Sequence, residues 1–181
     1  MEPKVIVGQI IGIVLTLLCM ISPQFKRKWQ MATMAIVSNA LSGLNFLLLD
    51  QVSACGVSLV AIIQATLAIR HTQKDTSPSK IEISIFGVLY VLGGLLPYLV
   101  SGTLSEFRPL DVMPIVGALL FLGYLAQKEE QRMRLFSLAN ILVYLVYNAL
   151  ILSTQFFAQL VGLISVVIAL IRYRKKKDTS A

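Results

Sequence analysis

The cations of this chain are sorted to one side of its apolar runs, and no other feature constrains the fold as strongly. Seven runs can be drawn: Val5 to Ile21, Met31 to Leu49, Val52 to Ile69, Ile83 to Val100, Val112 to Ala126, Leu135 to Leu152 and Phe156 to Ile171, none with an acidic or basic side chain. Walking the connections puts Lys26, Arg27 and Lys28 on one face, then Arg70, Lys74 and Lys80, then Lys128, Arg132 and Arg134, then Arg172, Arg174, Lys175, Lys176 and Lys177. The opposite face receives only Lys4 and Arg108, so the 16 Lys and Arg divide fourteen to two. Basic residues in short loops stay cytoplasmic. Seven spans with the amino terminus out and the carboxyl terminus in are therefore expected, and adding or dropping one span would destroy the bias.

Composition agrees, because 56% hydrophobic against 14% charged residues leaves too little polar surface to coat a water-soluble globule of 181 residues. A crossing needs about 20 residues, so the runs must recruit uncharged flanking residues, the fifth run most of all. The net charge of +7 is spread over short loops beside apolar segments, which fits anionic inner-leaflet headgroups and argues against nucleic acid. The RYRKKK stretch from Arg172 is expected to act as a stop signal and headgroup contact. The first run is read as a retained span, since Leu17 and Leu18 precede Cys19 where a lipoprotein cleavage site wants small residues. Cys19 and Cys55 are expected to pack as small apolar residues, with no disulfide or metal role.

The layout repeats. Runs one to three and five to seven share an apolar helix, a basic inner loop, a second helix, a near-chargeless outer turn and a third helix ending in basic residues. Three is odd, so the fourth run restores a parallel orientation. The expected architecture is all-α, with a first unit at 1–72, a linker segment with the fourth span at 73–110 and a second unit at 111–181: two parallel three-helix bundles joined by a linker helix. Residue matches are thin, Asn45 with Asn148 and Gln24 with Gln127 among them, at separations drifting from 102 to 105.

Inside lipid an amide must find a hydrogen-bond partner, so buried Asn and Gln point at a neighbouring helix or a wet cavity. Ser137, Asn140, Tyr144 and Asn148 recur on one face of the sixth span; Ser38, Ser42 and Asn45, with Asn39 beside them, do so on the second. With Gln159, these form a candidate ring of neutral donors and acceptors, suited to a small neutral solute because nothing is placed to balance a charge. The same side chains equally glue transmembrane helices together. Asn45, Asn148, Asn39, Asn140, Tyr144 and Gln159 are the candidate binding residues, and Pro23 is either a hinge or a terminator of the first span. Pro97, after Gly93 and Gly94, is expected to kink the fourth span. Asp50, Glu106 and Asp111 are expected as solvated outer-loop charges. No nucleophile–base pair, metal cluster or phosphate loop is visible, so neither an enzyme nor a cofactor is expected. A homo-oligomer is compatible with the sequence, which singles out no partner surface.

The three-plus-one-plus-three plan, with Ser22, Pro23 and Gln24 closing the first span, resembles PQ-loop and SWEET-type sugar transporters, whose triple-helix bundles face each other around a central pathway. The stretch Asn45-Phe46-Leu47-Leu48-Leu49-Asp50, and on through Ala54 to Arg70, resembles more closely the small bacterial YgjV-type inner-membrane proteins. That resemblance covers the length and the whole span plan, and implies a bacterial inner-membrane location. Pro23 has no counterpart before Gln127, where Ala126 stands, and Cys55 and Gln159 occupy the third-helix positions where SWEET-type proteins carry Asn. In YgjV-type relatives Asn and Arg are expected where this chain has Ala61 and Gln64, so sugar recognition is not carried over. Two readings follow: a facilitative transporter of a small neutral solute by alternating access, and a membrane scaffold of the same fold without transport.

Overall fold

The computed structural model describes residues 3–102, 105 and 107–178. Among them there is no strand, and the helices are α1 (Pro3–Ile21), α2 (Lys28–Leu48), α3 (Val52–Gln73), α4 (Lys80–Ser101), α5 (Val112–Ala126), α6 (Glu130–Leu150) and α7 (Gln155–Asp178). All seven are long and apolar enough to cross a membrane, α5 by recruiting the 3-10 turn at Pro109–Asp111 before it. The protein is thus all-α with seven spans, as the apolar runs require. The helices outlast those runs at their charged ends: α6 starts at Glu130 rather than Leu135 and so takes in Arg132 and Arg134.

The principal contacts run from α1 to α2, α3, α5, α6 and α7, and back to α1, closing a ring of six helices. The fourth helix lies outside it, against α3 and α5. Large apolar side chains such as Ile13, Leu59, Ile63, Val88 and Ile168 stand more than half exposed on the outer surface, where lipid is their solvent. The seams are built from small residues, including Ala32, Ala54, Ala61, Ala65 and Ala68, which let backbones approach where dispersion and interhelical hydrogen bonds must hold the bundle.

Each end of the ring has its own ties. Lys4 reaches Asp50 at 3.0 Å, joining the start of α1 to the α2–α3 turn. That turn and the α6–α7 turn share one geometry: Asp50 and Leu152 adopt left-handed φ of 58° and 53°, and Gln51 N donates to Phe46 O as Ser153 N does to Asn148 O. At the opposite end Gln24 Nε2 donates to Ser165 O and Oγ at 3.1 and 3.0 Å, and Tyr173 Oη donates to Gln24 O at 3.0 Å. Two outer-loop expectations change here. Asp111 is buried, 2% exposed, and accepts from Arg108 N at 2.8 Å, so its charge is spent on the turn before α5 instead of on solvent. Glu106 lies outside the described residues, as do the side chains of Arg174 to Lys177 that were expected at the headgroups.

Pro97 lies within a continuous α4. Its missing N–H deprives Gly93 O of the helical donor four residues on, and that carbonyl faces Gly56 of α3 so closely that a Cβ at Gly56 would lie 2.2 Å from it. Gly56→Ala is accordingly expected to force α3 and α4 apart and cost about 1–3 kcal/mol, read as a lower thermal midpoint in detergent. An unchanged midpoint would show that the seam has slack.

Candidate functional site

Within the ring lies a half-open cavity of about 150 Å³. Every helix except α4 lines it, and the α2 contribution alone, Ala35 to Phe46, extends over about 16 Å of helix axis. The lining holds Ser, Asn, Gln and Tyr side chains among apolar ones and no ionisable acid or base other than the Cys19 thiol and two tyrosines.

The structure divides the expected binding residues into two groups. Asn39, Asn140, Tyr144 and Gln159 line the cavity, together with Pro23. Asn39 Nδ2 donates to Ala35 O at 2.8 Å and Asn140 Nδ2 to Gly117 O at 2.6 Å, so each amide is oriented by a backbone carbonyl and keeps its Oδ1 for accepting. Tyr144 Oη donates to Pro114 O at 3.3 Å. Ser38, Ser137, Tyr124 and Gln159 contribute lining side chains whose polar groups have no protein partner among the described residues.

Asn45 and Asn148 do not line the cavity and do not meet each other. Asn45 is fully buried; its Nδ2 donates to Gly8 O and its Oδ1 accepts from Gln155 Nε2 at 2.8 Å, while Gln155 Oε1 takes Ser42 Oγ at 3.4 Å. This chain of bonds pins α2 to α1 and α7 at the end of the void nearest the α2–α3 turn. Asn148 is equally buried, but its Nδ2 turns back to Tyr144 O of its own helix at 2.7 Å and its Oδ1 has no partner. Phe46 packs between Tyr144 and Tyr147, with ring centroids at 6.5 and 5.9 Å, adding aromatic surface at the same end.

The opposite end of the void is built differently, around Arg134. The sequence reading counted it among the loop cations, yet one turn into α6 it is 2% exposed. Its Nε donates to Pro23 O at 3.4 Å, its Nη2 to Phe25 O at 3.1 Å and its Nη1 to Gln131 Oε1 at 3.3 Å, and its guanidinium lies 4.3 Å from the centre of the Tyr173 ring. The 3-10 turn at Ser22–Gln24, whose Pro23 lines the void, is therefore held by α6 and α7 together. Gln155 and Arg134 are the two residues that the reading of polar stripes missed. Arg134 carried a signal: it continues the Ser137, Ile141, Asn148 face one turn inward.

The lining also repeats at one separation. Cys19 and Phe121, Ser22 and Tyr124, Ala35 and Ser137, Ser38 and Asn140, Asn39 and Ile141, Ser42 and Tyr144, and Val57 and Gln159 are each 102 residues apart and all face the void. The shared turn geometry keeps that register, pairing Asp50 with Leu152 and Phe46 with Asn148.

A family model described as a bacterial inner membrane protein, Imp-YgjV, matches residues 6–177. The chain belongs to the YgjV family. No curated protein and no solved structure matches it. Membership places this YgjV-family protein among multi-pass bacterial inner-membrane proteins with seven apolar helices, and it brings no activity with it.

Proposed function

We propose that this YgjV-family protein passes a small uncharged polar solute across the inner membrane, using the ring's central void as its binding site. The observation that carries this reading is the void itself: polar side chains with unspent hydrogen-bonding capacity, drawn from corresponding positions of two chain halves, in a membrane interior where such groups cost free energy unless a ligand or water meets them. The two halves are three-helix units with α4 as their linker, and passage alternates by rocking one unit against the other. Asn45 with Gln155 closes the outer side and Arg134 with the Ser22–Gln24 turn closes the inner side, with Pro23 as the hinge of that turn. No carboxylate lines the void, so the solute runs down its own gradient.

Orientation belongs to the same proposal, with the amino terminus outside, because the helix ends bearing Lys26, Arg27, Arg70, Lys74, Lys128 and Arg132 lie together at the Arg134 end. Fusions of a periplasm-active and a cytoplasm-active reporter to the two termini must then report opposite compartments. Transport is tested in proteoliposomes with Asn39→Leu, which removes a lining amide whose only protein bond is to its own helix. Solute flux is expected to fall at least fivefold with an unchanged thermal midpoint. A variant matching the wild type in flux would remove the void from the pathway.

The scaffold reading accounts for Asn45, whose groups are consumed in helix contacts, but not for the unspent groups of the void.

A further inference from the structure

We infer that the solute is a compact, open-chain polyol of three or four carbons, recognised through hydroxyls that both donate and accept. The inference rests on the void being the solute's site and adds its chemical class. Three observations converge on it.

Size comes first. A carrier that rocks between two closed ends must at some point enclose its whole cargo, and a cargo near the size of the void needs the least rearrangement to be enclosed. A cavity near 150 Å³ corresponds to about five waters, or to a guest of roughly six heavy atoms such as benzene. A hexose has about twice that number of heavy atoms. The void is also slender, because its volume is drawn out over about 16 Å of the α2 axis, which favours a chain over a ring.

Polarity comes second. Asn39 and Asn140 have committed an N–H to backbone carbonyls and retain Oδ1 as acceptors, one from each half of the chain. Ser38 and Ser137 hydroxyls, with unspent acceptor capacity, stand close to them in sequence on the same helix faces. With the Gln159 amide and the Tyr124 hydroxyl also unspent, the midsection offers acceptors and donors together, which suits hydroxyl groups because each both donates and accepts.

Charge comes third. Cationic donors would satisfy the same acceptors, but no carboxylate lines the void and the buried Arg134 guanidinium stands at its inner end. Arg134 is not placed to take an anion either: it does not line the void, three of its five N–H groups are bonded within the protein and the Tyr173 ring lies against the group. Neutral hydroxyls remain.

The test is stopped-flow swelling of proteoliposomes holding the full chain, with glycerol, erythritol, mannitol and glucose in turn as the permeant, against protein-free vesicles of the same lipid. Glycerol entry is expected to rise at least tenfold over the vesicles, erythritol to rise less, and mannitol and glucose to stay at the lipid baseline. Ser137→Leu, which fills the midsection, is expected to return glycerol entry to baseline, and its thermal midpoint shows whether the variant is folded. Glucose or mannitol entering as fast as glycerol would overturn the size and class inference while leaving a transporter. Entry of none of a wider panel of neutral solutes would overturn transport and this inference with it.

Discussion

Arg134→Leu is expected to lower the thermal midpoint of the detergent-solubilised protein by roughly 5–10 °C. Hydrogen bonds to a charged donor contribute about 1.5–3 kcal/mol each, and the ring contact with Tyr173 about 0.5–2 kcal/mol. Leu removes both bonds to the Pro23 and Phe25 carbonyls, and leaves the buried Pro23 oxygen and the part-buried Phe25 oxygen without that donor. Against this stands relief from desolvating a charge that touches no carboxylate. A net loss of about 2–3 kcal/mol remains, and each kcal/mol moves the midpoint of a chain this long by about 2–4 °C. Arg132→Leu is the control: its side chain is 66% exposed and pairs only with an exposed Glu129, so its midpoint should stay within about 1 °C. Equal midpoints for the two variants would mean that the clamp on the Ser22–Gln24 turn holds nothing.

The contrast between those two arginines shows where a one-dimensional reading stops. Both belong to the cationic cluster before the sixth apolar run, and the cluster as a whole marks a face whichever way each side chain turns. Span number was legible for that reason: lipid requires long apolar helices, and charge separates them cleanly. Rotation about a helix axis was less legible, because an apolar run has few polar residues with which to fix its phase. On α2 and α6, where polar residues recur at helical spacing, Asn39, Asn140 and Tyr144 line the cavity. The pairing of Asn45 with Asn148 failed by one residue. Matching identical amides gives a separation of 103, whereas the turns set 102, which puts Asn148 opposite Phe46. One position is about 100° of helix rotation, enough to carry an amide from the cavity into a seam. Gln155 was hidden for another reason: as the first residue of α7 it stood in an apparent loop, and only the closed ring brings it to Asn45.

Asn45→Leu and Asn148→Leu are therefore expected to differ, although the two residues are equally buried. Leu at 45 strands Gln155 Nε2 of α7 and removes the tie to Gly8 O of α1, a carbonyl that keeps its helical bond, and leaves a side chain of similar volume in place of the amide. An orphaned buried group costs about 1–3 kcal/mol, softened because a chain unfolded in lipid also finds partners, so the loss should be about 2–4 kcal/mol. At 148 the only partner is Tyr144 O, which already accepts the helical bond from the backbone N–H of Asn148 within α6. The amide's Oδ1 is itself unpartnered, so Leu removes an orphan as well as a bond, and the change should stay within about 1 kcal/mol of zero. Reversible unfolding of both variants in the same mixed micelles gives the comparison directly. Similar losses at the two sites would mean that Asn148 has a partner this account lacks, such as a buried water bound to its Oδ1, and that this end of the ring is held by both halves rather than by Asn45 and Gln155.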